Sequence, residues 1–290
     1  MNFKLFFIFL ILTLNCSAQN TNNIFVAYED TLKKLAPKIL NSKEDREKYN
    51  ANEKFTETLE RVLNIKNSFE YPFDSLITIA RLTAPDKSFR IFNWNLPRHD
   101  GTFEYFGFVQ AYHKKYKTYK LYRLTDKSSE TTSPENQILD HYEWFGAHYY
   151  KIILKKQKGK KYYTLLGWDG NDRLTTKKII DVLYFPRGDR PKFGTPIFNI
   201  GKAVKKRMIF EYSSQAMMSL RYDEDKKLIT FDHLSPPDPS LEGQYQYYGP
   251  DGSYDALKFK KGKWILLEDL DARNKGKSNK KTSQKYNQPK

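Results

Sequence analysis

Apolar residues change their spacing along the chain, and the change divides it. Up to about residue 65 they recur every three or four positions, the period of a helix with one buried face. Leu32, Leu35, Ile39 and Leu40 make one such run, which Pro37 is expected to kink or end. Phe55, Leu59, Val62 and Leu63 make a second, fuller stripe. Ser42 is suited to cap that helix, Glu44 and Asp45 to fill its first turn, and Asn64 to close it. A third short helix is expected over Asp74 to Leu82, before Ala84-Pro85.

From Ser88 the period falls to two, as on a strand with one face buried. Strands are expected at Phe89 to Leu96, Thr102 to Tyr112, Thr118 to Leu124, His148 to Lys156 and Lys161 to Trp168. Thr176 to Phe185 reads as a further strand from its β-branched content, with a helix as the open alternative. Lys206 to Tyr212, Met217 to Tyr222 and Leu228 to His233 suggest a meander, and Tyr254 to Lys260 with Lys263 to Leu267 a closing hairpin. Lys158-Gly159 and Lys261-Gly262 are the turn dipeptides, and Trp264 is expected in the core. Short turns between successive strands imply antiparallel pairing. The fold class expected is α+β: N-terminal helices packed on a large, mainly antiparallel β-sheet system, either one curled sheet or two packed sheets.

The first eighteen residues fit neither part. Lys4 precedes the apolar run Leu5 to Leu14, and Cys16 and Ala18 stand three residues and one residue before Gln19. That is the pattern of a cleavable export signal, too short for a permanent bilayer span. Acylation of Cys16 in a lipoprotein is the alternative, but Thr13 and Asn15 match that motif poorly. The expected organisation is 1–18 signal peptide, 19–87 helical region, 88–272 antiparallel β-rich domain and 273–290 basic disordered tail.

Composition and charge sharpen this picture. With 20 Phe and 21 Tyr the chain has too many buriable rings for a disordered polymer. Its single Cys excludes a disulfide scaffold and, after cleavage at Ala18, any thiolate chemistry in the mature chain. The formal charge is +16, and Arg273 to Lys290 holds seven of those charges as six Lys and one Arg without an acid. Such a tail can contact anionic surfaces, whereas Tyr286 alone gives no ring interleaving, so no specific nucleic acid is expected.

Three blocks could carry chemistry. In LGWDGND, the oxygens of Asp169, Asn171 and Asp172 could face a calcium ion, although an EF-hand's distal Glu is missing. In FDHLSPPDPSL, Asp232 and His233 invite a metal or acid/base reading, yet neighbours on a strand face opposite sides. In YYGPDGSYDALKFKKGK, Asp251 and Asp255 form a carboxylate pair beside tyrosines, which suits sugar binding or hydrolysis. Each block also reads as turn chemistry, the commoner use of such residues. No G-x-S-x-G elbow, P-loop, dinucleotide fingerprint or H-E-x-x-H pair accompanies them. No cofactor is expected, calcium being the one ion those oxygens suit.

The motifs LLGWDG, KKIIDVL, FGTPIF, FDHLSP, YYGPDGSYDALKFKKGKW and EDLDARN resemble those of a group of exported Bacteroidota proteins with no assigned activity, over roughly Tyr149 to Asn274. The resemblance implies export and a folded extent, and it implies no mechanism. The expectation is therefore a periplasmic or secreted β-rich protein that binds or scaffolds, with an envelope component or a glycan as partner. The alternative is a hydrolase for glycan or peptide built on Asp232, His233, Asp251 and Asp255.

Overall fold

In the computed structural model, which describes residues 23–186 and 190–268, two helices open the chain. Helix α1 runs over 23–41 and α2 over Asp45–Leu63. The export signal, Cys16 and the basic tail lie outside the described residues. Among the described residues no helix is long and apolar enough to cross a membrane.

Sixteen strands follow, arranged in three sheets. The first is β1 (Ala80–Thr83), β2 (Phe89–Pro97), β3 (Phe103–His113) and β4 (Thr118–Thr125), paired in that order. The middle sheet is built from β5 (Leu139–Asp140), β6 (His148–Gln157), β7 (Lys160–Asp169), β8 (Thr175–Tyr184), β9 (Lys192–Phe193) and β12 (Met208–Ser213). The third holds β10 (Phe198–Ile200), β11 (Ala203–Lys205), β13 (Leu220–Asp223), β14 (Leu228–Ser235), β15 (Gly249–Lys260) and β16 (Lys263–Leu267). Its order is β11-β10-β16-β15-β14-β13, and β10–β16 is the parallel pairing.

Side-chain alternation turns these sheets into layers. On β2, Phe89 and Ile91 face one core, and Phe92, Trp94 and Leu96 face another. The second of these cores is closed by Phe25, Leu32, Phe55 and Leu59 of the helices. The first is shared with Tyr149, Leu165, Ile179 and Leu183 of the middle sheet. That sheet turns Leu166, Ile180 and Val182 the other way, onto Phe231, Leu257 and Trp264 of the third. The sequence is thus helices, sheet, sheet, sheet, with two sheets covered on both faces, so each wholly buried strand is apolar at odd and even positions alike. One buried guanidinium is paired with a buried carboxylate. Fully buried Arg207 donates from Nε to Asp181 Oδ2 at 2.7 Å and from Nη1 to the Pro134 carbonyl at 2.6 Å.

The α+β class expected from the sequence is the class observed. The sheet system differs in one respect: it is three stacked sheets rather than one curled sheet or two. Two strands at sheet edges, β5 and β11, and two inside the sheets, β9 and β10, are too short to show a period, each being two or three residues long. The expected meander is also redistributed, because β12 pairs with β8 while β13 and β14 pair in the third sheet. Pro37 does not end α1, since it lies on the exposed side, where water can serve the carbonyl that its missing amide leaves open. Helix α2 starts after Glu44 rather than Ser42, and Asp45 in its first turn accepts from the His99 amide.

The third helix expected over Asp74 to Leu82 is not formed. Its place is taken by turns and by β1. Arginine side chains bind backbone carbonyls in and just before this stretch. Arg81 donates to Leu76 O and Pro72 O, and buried Arg90 to Tyr71 O and Ser68 O. The Arg90 guanidinium also sits over the rings of Phe69, Phe73 and Phe92, at 4.8–5.3 Å.

Candidate functional site

Strand β7 carries a candidate site at each end. At its C-terminal end, Asp169 is buried and its Oδ1 accepts from Tyr105 Oη and from the Asn171 amide, both at 2.8 Å. Burial pushes this carboxyl above its ordinary range, against those two hydrogen bonds. Asn171 has φ 52°, the left-handed position of the turn. Gly170 is needed for space instead: a Cβ there would lie 2.3 Å from the Phe103 ring. Asn171 Oδ1 accepts from Lys177 Nζ at 2.6 Å, so an ammonium already stands at the oxygen proposed for calcium. Asp172 Oδ1 accepts the amides of Leu174 and Thr175. The three candidate ligands therefore serve the β7–β8 turn, each bound to its own donors. They line a cleft of about 840 Å³ that also holds Glu104, Asp126, Arg98, Arg123 and Lys177, so charges of both signs face it.

The C-terminal blocks are brought together in part. A bulge between Asp232 and Leu234 re-aims His233 toward β15. His233 Nδ1 donates to Asp255 Oδ2 at 2.9 Å, and Nε2 faces Asp251 Oδ2 at 3.9 Å. Asp232 points away and accepts the Ser219 amide at 2.7 Å. Asp251 also accepts the Ser253 amide and hydroxyl, and these bonds hold its carboxyl below the usual range. A serine nucleophile needs a ring nitrogen to take its proton. Here both ring nitrogens face carboxylates, and the Ser253 hydroxyl donates to Asp251. The arrangement ties β14 to β15 rather than building a nucleophile–base pair. Among the described residues, no group of three or more His, Cys, Asp or Glu is set to hold a metal ion.

The N-terminal end of β7 is different. The β3–β4 hairpin, the β6–β7 hairpin and the chain after β8 enclose a cleft of about 900 Å³. Tight turns put the lysines there: Lys158 and Gly159 have φ 47° and 75°, as the two central residues of a type I′ turn require. Lys114, Lys115, Lys160 and Lys161 stand on the rim, and Tyr112, Tyr122, Tyr162, Tyr163, Tyr184 and Phe185 form the walls. No Asp or Glu is among the described lining residues. Lys161 is bound to Asp86, just outside, at 2.6 Å. Lys114, Lys115 and Lys160 have no ion pair with a described carboxylate. Tyr163 donates to Asp86 at 2.9 Å, and burial, with Asp86 beside it, pushes its hydroxyl up to about 12. It stays a neutral donor at any ordinary pH.

No protein-family model, curated protein or solved structure matches the chain. Function must therefore be argued from these surfaces. The sequence reading passed over the lysine cleft, because its cations come from hairpins more than forty residues apart and each looks like an ordinary turn lysine. One available signal was the clustering of Lys with Tyr in KKYKTYK and KGKKYY, at the tips of neighbouring hairpins.

Proposed function

We propose that this chain is an exported, non-enzymatic binding protein whose lysine- and tyrosine-lined cleft receives a negatively charged ligand. The observation that carries the reading is the cleft's charge: four lysines on the rim and no carboxylate among the described lining residues. Like charges held beside aromatic walls raise the local concentration of an anion. The volume lies within the range of ligand sites. Export rests on the pattern of residues 1–18, and intact-mass analysis of the native protein should find it starting at Gln19 without lipid. A diacylglyceryl group on Cys16 would make it a lipoprotein instead. The hydrolase alternative draws less support, since Asp251, Asp255 and His233 bind one another and Asp232 faces elsewhere.

Binding of dextran sulfate, followed by calorimetry at about 0.15 M salt, tests the reading, because screening there removes much of the nonspecific attraction. The triple variant Lys114→Gln, Lys115→Gln, Lys160→Gln should bind about tenfold more weakly. A control triple on the exposed side of α1, Lys33→Gln, Lys34→Gln, Lys38→Gln, removes the same charge and should bind as the parent does. Equal loss in both triples, or none in either, would remove the cleft from the function.

A further inference from the structure

The composition of this cleft says more than its sign. We infer that its ligand is an acidic polysaccharide chain, with sugar rings against the tyrosines and sugar carboxylates between the lysines. The inference rests on the binding reading above and narrows it. Five of the six wall rings are tyrosines. A tyrosine offers an apolar body and a hydroxyl tip, which match the CH face and the hydroxyl edge of a sugar.

The cations are lysines, with no Arg among the described lining residues. The arginine fork suits one anionic group held at two points, whereas lysines offer separate point charges that suit anionic groups spaced along a chain. Lys114, Lys115 and Lys160 stand on two hairpins and are exposed, so they can follow successive charges, while Lys161 is already held by Asp86.

The rings argue against single-stranded nucleic acid. Bases bind by stacking on open ring faces. Tyr112 is the most exposed wall ring, at 43%, and it packs edge-on against Tyr119 with centroids 5.3 Å apart. Tyr122, Tyr162, Tyr184 and Phe185 are half-buried and Tyr163 is buried, so Tyr112 offers the most ring surface to a ligand. One sugar ring can lie against it, whereas a run of successive bases has little to stack on.

Calorimetry on the full chain with four probes decides the matter. The probes are polygalacturonate oligomers, the same oligomers fully methyl-esterified, polyphosphate and oligothymidylate. The polygalacturonate should bind tightest. Esterification removes the charge and keeps the rings, and should weaken binding about tenfold. Tyr112→Ala, at an exposed position, should weaken polygalacturonate several-fold and leave the thermal midpoint unchanged. If polyphosphate or oligothymidylate binds as tightly as polygalacturonate and Tyr112→Ala has no effect, the sugar inference fails while the anion reading stands. If no probe distinguishes the Lys114, Lys115, Lys160 variant from the α1 control, both fail. Single-lysine variants, each on an exposed side chain, keep the result readable if the triple does not fold.

Discussion

One strand ends in two different chemistries. At the Asp169 end of β7 every charged or polar side chain has been taken up by the protein: Asp169 by Tyr105, Asn171 by Lys177, Asp172 by two backbone amides, and Thr175 by Glu211. At the Lys160 end the charges are mostly left over, with Asp86 engaging Lys161 alone among the rim lysines. The first pattern is what a turn needs to hold its shape, because a buried polar group without a partner costs more than a bond gains. The second contributes little to stability. The sequence drew attention to the opposite end, since LGWDGND has the residue types of a cation site.

The largest test sets the scale for both ends. Trp264 is fully buried, and its Nε1 donates to Thr164 at the centre of β7 at 2.9 Å. Trp264→Ala should cost about 3–5 kcal/mol, as large aromatic truncations in cores do, read from urea midpoints. A loss under about 1 kcal/mol would mean that the middle and third sheets do not share a core. Next is the closed end. Asp169→Ala leaves the buried Tyr105 hydroxyl without its acceptor and should cost about 1–3 kcal/mol, with polyanion binding unchanged. Weakened binding with intact stability would reverse the roles given to the two ends.

Smaller effects belong to the open end. At Asp86 burial works against ionisation, yet hydrogen bonds from Lys161, Ser88 and Tyr163 outweigh it and hold the carboxyl down from 3.8 to about 2. A carboxyl depressed by folding stabilises the folded state above its unfolded value, and that contribution is lost as protons return. The thermal midpoint should therefore fall between about pH 4 and pH 2, and Asp86→Asn should flatten that part of the profile. A profile that Asp86→Asn leaves unchanged would show that the carboxyl is not so held. Smallest is the rim. The Lys114, Lys115, Lys160 triple should shift stability by less than about 0.5 kcal/mol, as surface changes do, while its ligand binding falls. A larger shift would show that these lysines are structural.

Much of this was written in local pattern. The stripe Phe55, Leu59, Val62, Leu63 is buried as its spacing implies, and the eleven-residue β3 and ten-residue β6, β7 and β8 lie within a residue or so of where alternation puts them. Both Lys-Gly turns are where they were expected, with positive φ at each residue. What local pattern could not carry is contact between distant segments. Arg81 and Arg90 bind carbonyls up to 22 positions away, in and before the stretch Asp74 to Leu82 where local pattern suggests a helix. His233 meets Asp255 because one bulge interrupts an alternation that puts Asp232 and His233 on opposite sides. The cleft is the extreme case, since its charge exists only once two hairpins lie side by side.

The place of β16 has a consequence for the order in which the chain can fold. It is the last described strand, yet it lies inside the third sheet between β10 and β15. Until residues 263–267 have been synthesised, β10 and β11 form an isolated two-stranded ribbon, and β13 to β15 lack the neighbour that joins them to it. Trp264, which seals that sheet onto the middle one, arrives in the same few residues. Pairings between such distant segments form slowly, because the intervening chain must be ordered first. The third layer is therefore the last that the described chain can close, and its closure sets Phe198 beside Trp264.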